Sequence, residues 1–102
     1  MRKIETEMQN ALRNRVNWSK ANTSVSVDNE GNQFVTLHGN LIAKISNFGD
    51  NELSSCGWET VTTKSRLNAI LDTFLHGLHV FQKDFQWFIG DETFFDGYTI
   101  HR

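Results

Sequence analysis

Ile4, Met8 and Leu12 recur at four-residue intervals, with Ala11 beside them. That spacing predicts an amphipathic helix with one narrow apolar stripe. The stripe fades near Val16, and Asn17, Ser19 and Asn22 mark the exit, with Trp18 placed to anchor the helix end. Four short strand-like runs follow. Val25 and Val27 alternate with serines, and Asp28-Asn29-Glu30-Gly31-Asn32 reads as a loop. Phe34 to His38 is the second run and Leu41 to Ile45 the third. Gly39-Asn40 between them predicts a type II′ turn, because glycine comes first. That register pairs His38 with Leu41, Leu37 with Ile42 and Thr36 with Ala43. Phe34, Leu41 and Ile45 then share one face, and Val35, Leu37 and Ile42 the other. Both faces are partly apolar, which predicts a central or doubly covered hairpin. Asn47 to Asn51 reads as a turn, and a fourth strand is expected from Leu53 to about Trp58.

The clearest element comes next. Leu67, Ile70, Leu71 and Phe74 fall at i, i+3, i+4 and i+7, the signature of a helix with one buried face. Thr62 or Thr63 offers an N-cap hydroxyl. Gly77 fits a glycine just past the end, with His76 in the last turn. Two strands are then expected, His79–Gln82 and Phe85–Ile89, joined by Lys83-Asp84. Val80, Trp87, Leu78 and Ile89 share one face of this pair; His79, Phe81 and Phe88 occupy the other. Gly90-Asp91 turns the chain again, and a last short strand lies between Phe94 and Ile100, around Asp96-Gly97. The order α-β-β-β-β-α-β-β predicts the α+β class: one small domain over residues 1–102 with two helices and an antiparallel sheet of about five to seven strands.

Composition narrows the class of protein. The chain has 102 residues, one cysteine and no proline. It is long enough to bury a core without disulfides or metal. A single thiol forms no internal disulfide, and the Cys/His spacing of a structural zinc site is missing. These features exclude a disulfide-rich scaffold, a zinc finger, a disordered tail and a collagen-like rod. No apolar run approaches the roughly 20 residues that span a bilayer, and the N-terminus lacks the apolar core of a signal peptide. A soluble protein of a reducing compartment is expected, with no membrane partner. The net charge of -2 conceals an asymmetry: residues 1–20 carry five bases and two acids, the remainder five bases and ten acids. Such a balance does not describe a general DNA binder. The aromatics are uneven too. Eight of twelve lie between Phe74 and Tyr98, interleaved with Asp84, Asp91, Glu92 and Asp96.

Two segments carry candidate chemistry. Thr62, Thr63, Lys64, Ser65 and Arg66 place three hydroxyls and two cations at a helix entry, where backbone N–H groups are free. Those are the parts of an anion site, and equally those of an ordinary capped helix with solvated bases. It is not a Walker loop, because Thr63 stands where that motif requires glycine. His79, Phe81 and Phe88, with Lys83 nearby, form the second segment. If nothing covers their face, they make an aromatic patch that suits a protein partner or the stacked bases of a single strand. The surrounding acids favour the protein. His38, His76, His79 and His101 show no metal-ligand spacing, and Cys56 reads as a small buried thiol without a base beside it. Paired carboxylates and calcium-loop spacing are missing as well. A non-enzymatic protein with no cofactor and no metal is therefore expected. A homodimer through an open sheet face or edge strand is compatible with the same pattern.

Three segments together resemble a known family. They are Leu37-His38-Gly39-Asn40-Leu41-Ile42-Ala43, the run from Cys56-Gly57-Trp58 through Thr62-Thr63-Lys64-Ser65-Arg66 to Leu67-Asn68-Ala69, and Val80 to Phe88. The chain resembles, over about residues 1–100, a family of small bacteriophage-encoded proteins found in phages of marine bacteria and cyanobacteria. The middle segment is the most specific. The resemblance brings no catalytic residue and no cofactor. It implies a viral protein acting in the host cytoplasm, with a host-takeover or anti-defence role performed by binding a host protein. Binding of single-stranded nucleic acid or a nucleotide is the alternative.

Overall fold

The computed structural model describes residues 2–75 and 77–101. Helix α1 (Lys3–Asn14) buries Glu5, Met8, Gln9 and Leu12, an i, i+3, i+4, i+7 set, together with Ala11. Two of these are polar, so the buried stripe is broader than its apolar residues indicate, and Ile4 is only half-buried. The helix stops before its stripe does. Arg15 turns left-handed at φ 53, and Val16 N donates to the Ala11 carbonyl at 3.2 Å. Trp18 does anchor this end, but from inside a strand.

The chain continues as β1 (Trp18–Lys20), β2 (Thr23–Val27), β3 (Gln33–Leu37), β4 (Asn40–Ile45), β5 (Asn51–Leu53), α2 (Val61–Phe74), β6 (Val80–Lys83), β7 (Gln86–Ile89), β8 (Glu92–Thr93) and β9 (Tyr98–Ile100). The class is α+β, as expected. The described strands number nine, more than expected, and they divide between two antiparallel sheets. Six form the sheet β1-β2-β3-β4-β5-β9, and three form β6-β7-β8.

The β3–β4 turn differs from its expected form. His38 and Gly39, at φ 53 and 78, occupy the two turn positions, and Leu37 pairs with Asn40. Two left-handed residues make a type I′ turn, whose twist suits the flanking strands. The register then shifts between Val35 and Thr36. This bulge turns Ile42 and Ala43 inward together and brings Ile45 onto the Val35 and Leu37 face. Phe34 and Leu41 stay on the outer face. The hairpin is central, yet its outer face is not covered. Leu41 is 44% exposed, and Lys44 Nζ reaches over the Phe34 ring at 5.9 Å.

The expected strand through Trp58 ends at Leu53. Cys56 and Gly57 take positive φ and turn the chain outward, so Cys56 is exposed rather than buried. Helix α2 begins two to three residues earlier than expected. Thr60 is the N-cap, accepting from Thr63 N at 3.1 Å, while Thr62 and Thr63 lie inside the first turn. Leu67, Ile70 and Leu71 face the core and Phe74 is half-buried at its edge. Leu75 caps the helix. Gly77 lies beyond it at φ 93, and the expected role of His76 lies outside the described residues.

The β6–β7 turn is Asp84-Phe85, not Lys83-Asp84. Moving the turn by one residue changes each pairing by two, which preserves the faces. Val80, Trp87 and Ile89 are buried as expected, and Phe81 opposes Phe88 on the other side. Phe94 bridges the two sheets, its ring 6.0 Å from Trp87 and 6.2 Å from Tyr98.

Candidate binding surfaces

The five residues of the helix entry separate in space. Arg66 points inward and is 3% exposed. Its Nη1 donates to Glu5 Oε2 at 2.8 Å, its Nε to Thr23 Oγ1 at 3.0 Å and its Nη2 to Asn22 Oδ1 at 3.4 Å. Ser65 Oγ donates to the same Glu5 oxygen. Burial works to raise the Glu5 pKa, but the hydrogen bonds from Ser65 and Arg66 outweigh it and hold the carboxyl below its ordinary value. Arg66 is thus spent on an internal anion, and an external one finds no access to it. Thr63 is buried as well, its hydroxyl 3.0 Å from that of Thr60. Lys64 and Ser65 line a shallow groove of about 620 Å³, whose far wall includes Leu78 and His79. The structure therefore brings Lys64 of the first candidate segment and His79 of the second to one groove, and leaves Arg66 out of it.

The aromatic face is partly open. Phe81 and Phe88 are half-buried and stacked at 5.7 Å, and His79 adds its ring 5.5 Å from Phe81. Lys83 is exposed at the end of β6. Phe85 lies at the tip, 93% exposed, at φ 66. The expected turn placed Phe85 within a strand, so its prominence was missed. Exposed Asp84 stands beside it in the turn, whereas Asp91 and Glu92, also exposed, lie at the other end of β7, where Glu92 pairs with Ile89. Glu92 adds to the burial that raises the Tyr98 pKa. Asp96 does not belong to this patch. Its Oδ1 accepts from Ser55 N and Ser55 Oγ, both at 2.8 Å. Burial opposes that charge, and the Ser55 hydrogen bonds prevail, lowering its pKa.

Asn68 holds this sheet to the rest of the protein. Its Oδ1 accepts from Val80 N at 2.6 Å and its Nδ2 donates to Val80 O at 3.0 Å. One side chain thus replaces a neighbouring strand at the edge of β6. Nothing local in the sequence distinguishes this asparagine from a solvated one.

A second recess of about 460 Å³ lies between the His38 turn and the start of α2. Leu37 and Ile42 form its floor, Thr62 and Thr63 part of its wall, and Trp58 its rim. Trp58 is 61% exposed.

Cys56 Sγ donates to the Leu41 carbonyl at 2.9 Å and accepts from Ser54 Oγ at 3.7 Å. Neither neighbour is a base. Among the described residues, no group of three or more His, Cys, Asp and Glu side chains is placed to hold a metal ion. No helix among them is long and apolar enough to cross a membrane.

No curated protein and no solved structure matches the chain. The Kyanoviridae Gp96 protein family matches it over residues 1–101, and the chain belongs to that family, as a phage-encoded accessory protein.

Proposed function

We propose that this protein acts in the host cytoplasm by binding a host protein, not by catalysis, and that the β6–β7 hairpin makes the contact. Phe85 carries this reading. A left-handed backbone costs a residue with a Cβ about 1–2 kcal/mol. Phe85 adopts it while exposing nearly its whole ring to water, so neither conformation nor burial favours phenylalanine there. A strained residue that gains nothing within the fold points to a role outside it. The Phe81–Phe88 stack beside it supplies further aromatic area at low entropic cost. With Asp84 and Lys83 both exposed beside Phe85, the tip suits an apolar pocket whose rim carries a complementary polar or charged group. A host-takeover or anti-defence role fits a phage accessory protein with such a surface.

Single-stranded nucleic acid is the weaker reading. It needs cations beside the rings, and burial of Arg66 against Glu5 removes one of them.

Capture from host lysate tests the proposal. Partners held by the wild type are expected to be lost with Phe85→Ser and with Phe88→Ala. They are expected to remain with Phe48→Ser, which removes an equally exposed ring from the β4–β5 turn. Equal retention by all three folded variants would exclude the hairpin as the contact.

A further inference from the structure

We propose that the recess at Trp58 binds a neutral nucleobase or nucleoside, free in solution. Its volume of about 460 Å³ lies within the range of small-molecule sites, roughly 300–1,000 Å³. The chemistry of its lining is divided. Leu37 and Ile42 give an apolar floor, and Trp58 presents a large ring at the mouth. These reward the faces of a planar ring. The walls are polar, but their groups fall into two kinds.

Ser55, Thr60 and Thr63 are already engaged. The Ser55 hydroxyl is held by Asp96, and Thr60 Oγ1 caps α2 through Thr63 N. These hydroxyls shape the site. The Asn40 carboxamide, the Thr62 hydroxyl and the Trp58 indole N–H have no hydrogen-bond partner among the described residues. They are free to meet a donor and acceptor edge. A purely apolar ring would leave them desolvated and unpaired. No Asp, Glu, Lys or Arg lines the recess among the described residues, and its one imidazole, His38, has Nε2 3.5 Å from Asn22 Nδ2, so the lining offers a charged ligand no permanently charged partner. A flat, uncharged ring with a hydrogen-bonding edge satisfies floor, rim and walls together, and a nucleobase is that kind of group. The site shares no residue with the hairpin proposed to bind protein, so either proposal can fail alone.

Calorimetric titration with adenosine, guanosine, cytidine and uridine tests this, with backbone and indole NMR to locate the contact. At least one nucleoside is expected to bind with a Kd on the order of 0.1 mM, as ligand efficiency allows for a molecule of that size. Affinity is expected to be unchanged between low and moderate salt, because no phosphate is neutralised. The Trp58 indole N–H signal is expected to shift more than those of Trp18 and Trp87. Trp58→Ala is expected to weaken binding about tenfold, the value of one stacking contact. Thr62→Val is expected to change the preference among the four bases. Phe85→Ser should bind as the wild type does.

Failure of all four nucleosides to saturate would overturn the proposal. So would undiminished binding by a folded Trp58→Ala protein. A short single strand, titrated in parallel, separates the two sources of a base. Much tighter binding of the strand, falling steeply with salt, would assign the contact to a polymer and overturn the free ligand.

Discussion

Replacing Arg66 with methionine is expected to lower stability by about 3–5 kcal/mol, the usual cost of leaving a buried charge without its partner. A domain of this size has only about 5–15 kcal/mol in total. Glu5 is 2% exposed and lies against Arg66 at 2.8 Å, so its carboxylate would remain in the interior without its main countercharge. The double variant Glu5→Leu with Arg66→Met is expected to recover most of the loss, because an apolar pair of similar volume avoids the desolvation of both ions. Urea unfolding of the two single variants and the double variant measures this. Additive losses in the double variant would show that the two residues do not act as a pair.

The same network sets an acid limit. The Glu5 pKa is lowered in the folded protein, so its contribution is present above the unfolded value, near 4.5, and fades as pH falls through the folded one. Stability of the wild type is therefore expected to fall more steeply than that of Glu5→Gln as pH drops from 7 to 3. Parallel thermal melts would show it, and identical slopes would remove Glu5 from the account.

Asn68→Leu is the second large effect. It strips the hydrogen-bond partners from both Val80 N and Val80 O, and Val80 is buried. Unsatisfied buried groups cost roughly 1–3 kcal/mol each, so a loss of about 2 kcal/mol or more is expected. The loss should be local in its consequences. Hydrogen exchange is expected to rise across β6–β8, while β2–β4 keep their protection. Asn68→Asp should be intermediate, since a carboxylate still accepts from Val80 N but repels the Val80 carbonyl. Uniform loss of protection across both sheets would show that Asn68 is not the specific link. Because β6–β7 carries the proposed protein contact, loosening it is also expected to weaken partner capture without removing Phe85.

Much of the fold was legible for a physical reason. Hydrophobic periodicity is local, and it survives small errors in the turns. The hairpin at Asp84-Phe85 was displaced by one residue, yet Val80, Trp87 and Ile89 still faced inward, because side chains alternate with a period of two. The β3–β4 hairpin shows where this protection ends. A single extra residue in β4, Ile42, opposite Val35 and Thr36, reversed the parity beyond it and moved Ile45 to the inner face. Nothing in the residue types there announces the bulge. Cys56 was misplaced for a related reason: its left-handed backbone turns an apparent strand into a loop.

The candidate sites were less legible, because their meaning depends on distant partners. Lys64 and Arg66 stand two apart at one helix entry and look alike in sequence. One meets solvent in a groove and the other meets Glu5, 61 positions away. By itself the sequence determined the class, the two helices and most inward faces, since these follow from spacing within a few residues. Tertiary structure alone decided that Arg66 is an internal ion, that Asn68 holds an edge strand, and that Phe85 and Trp58 project into water. Charge pairing, edge satisfaction and exposure arise only when segments far apart in the chain are packed together, and no local pattern encodes which ones will meet.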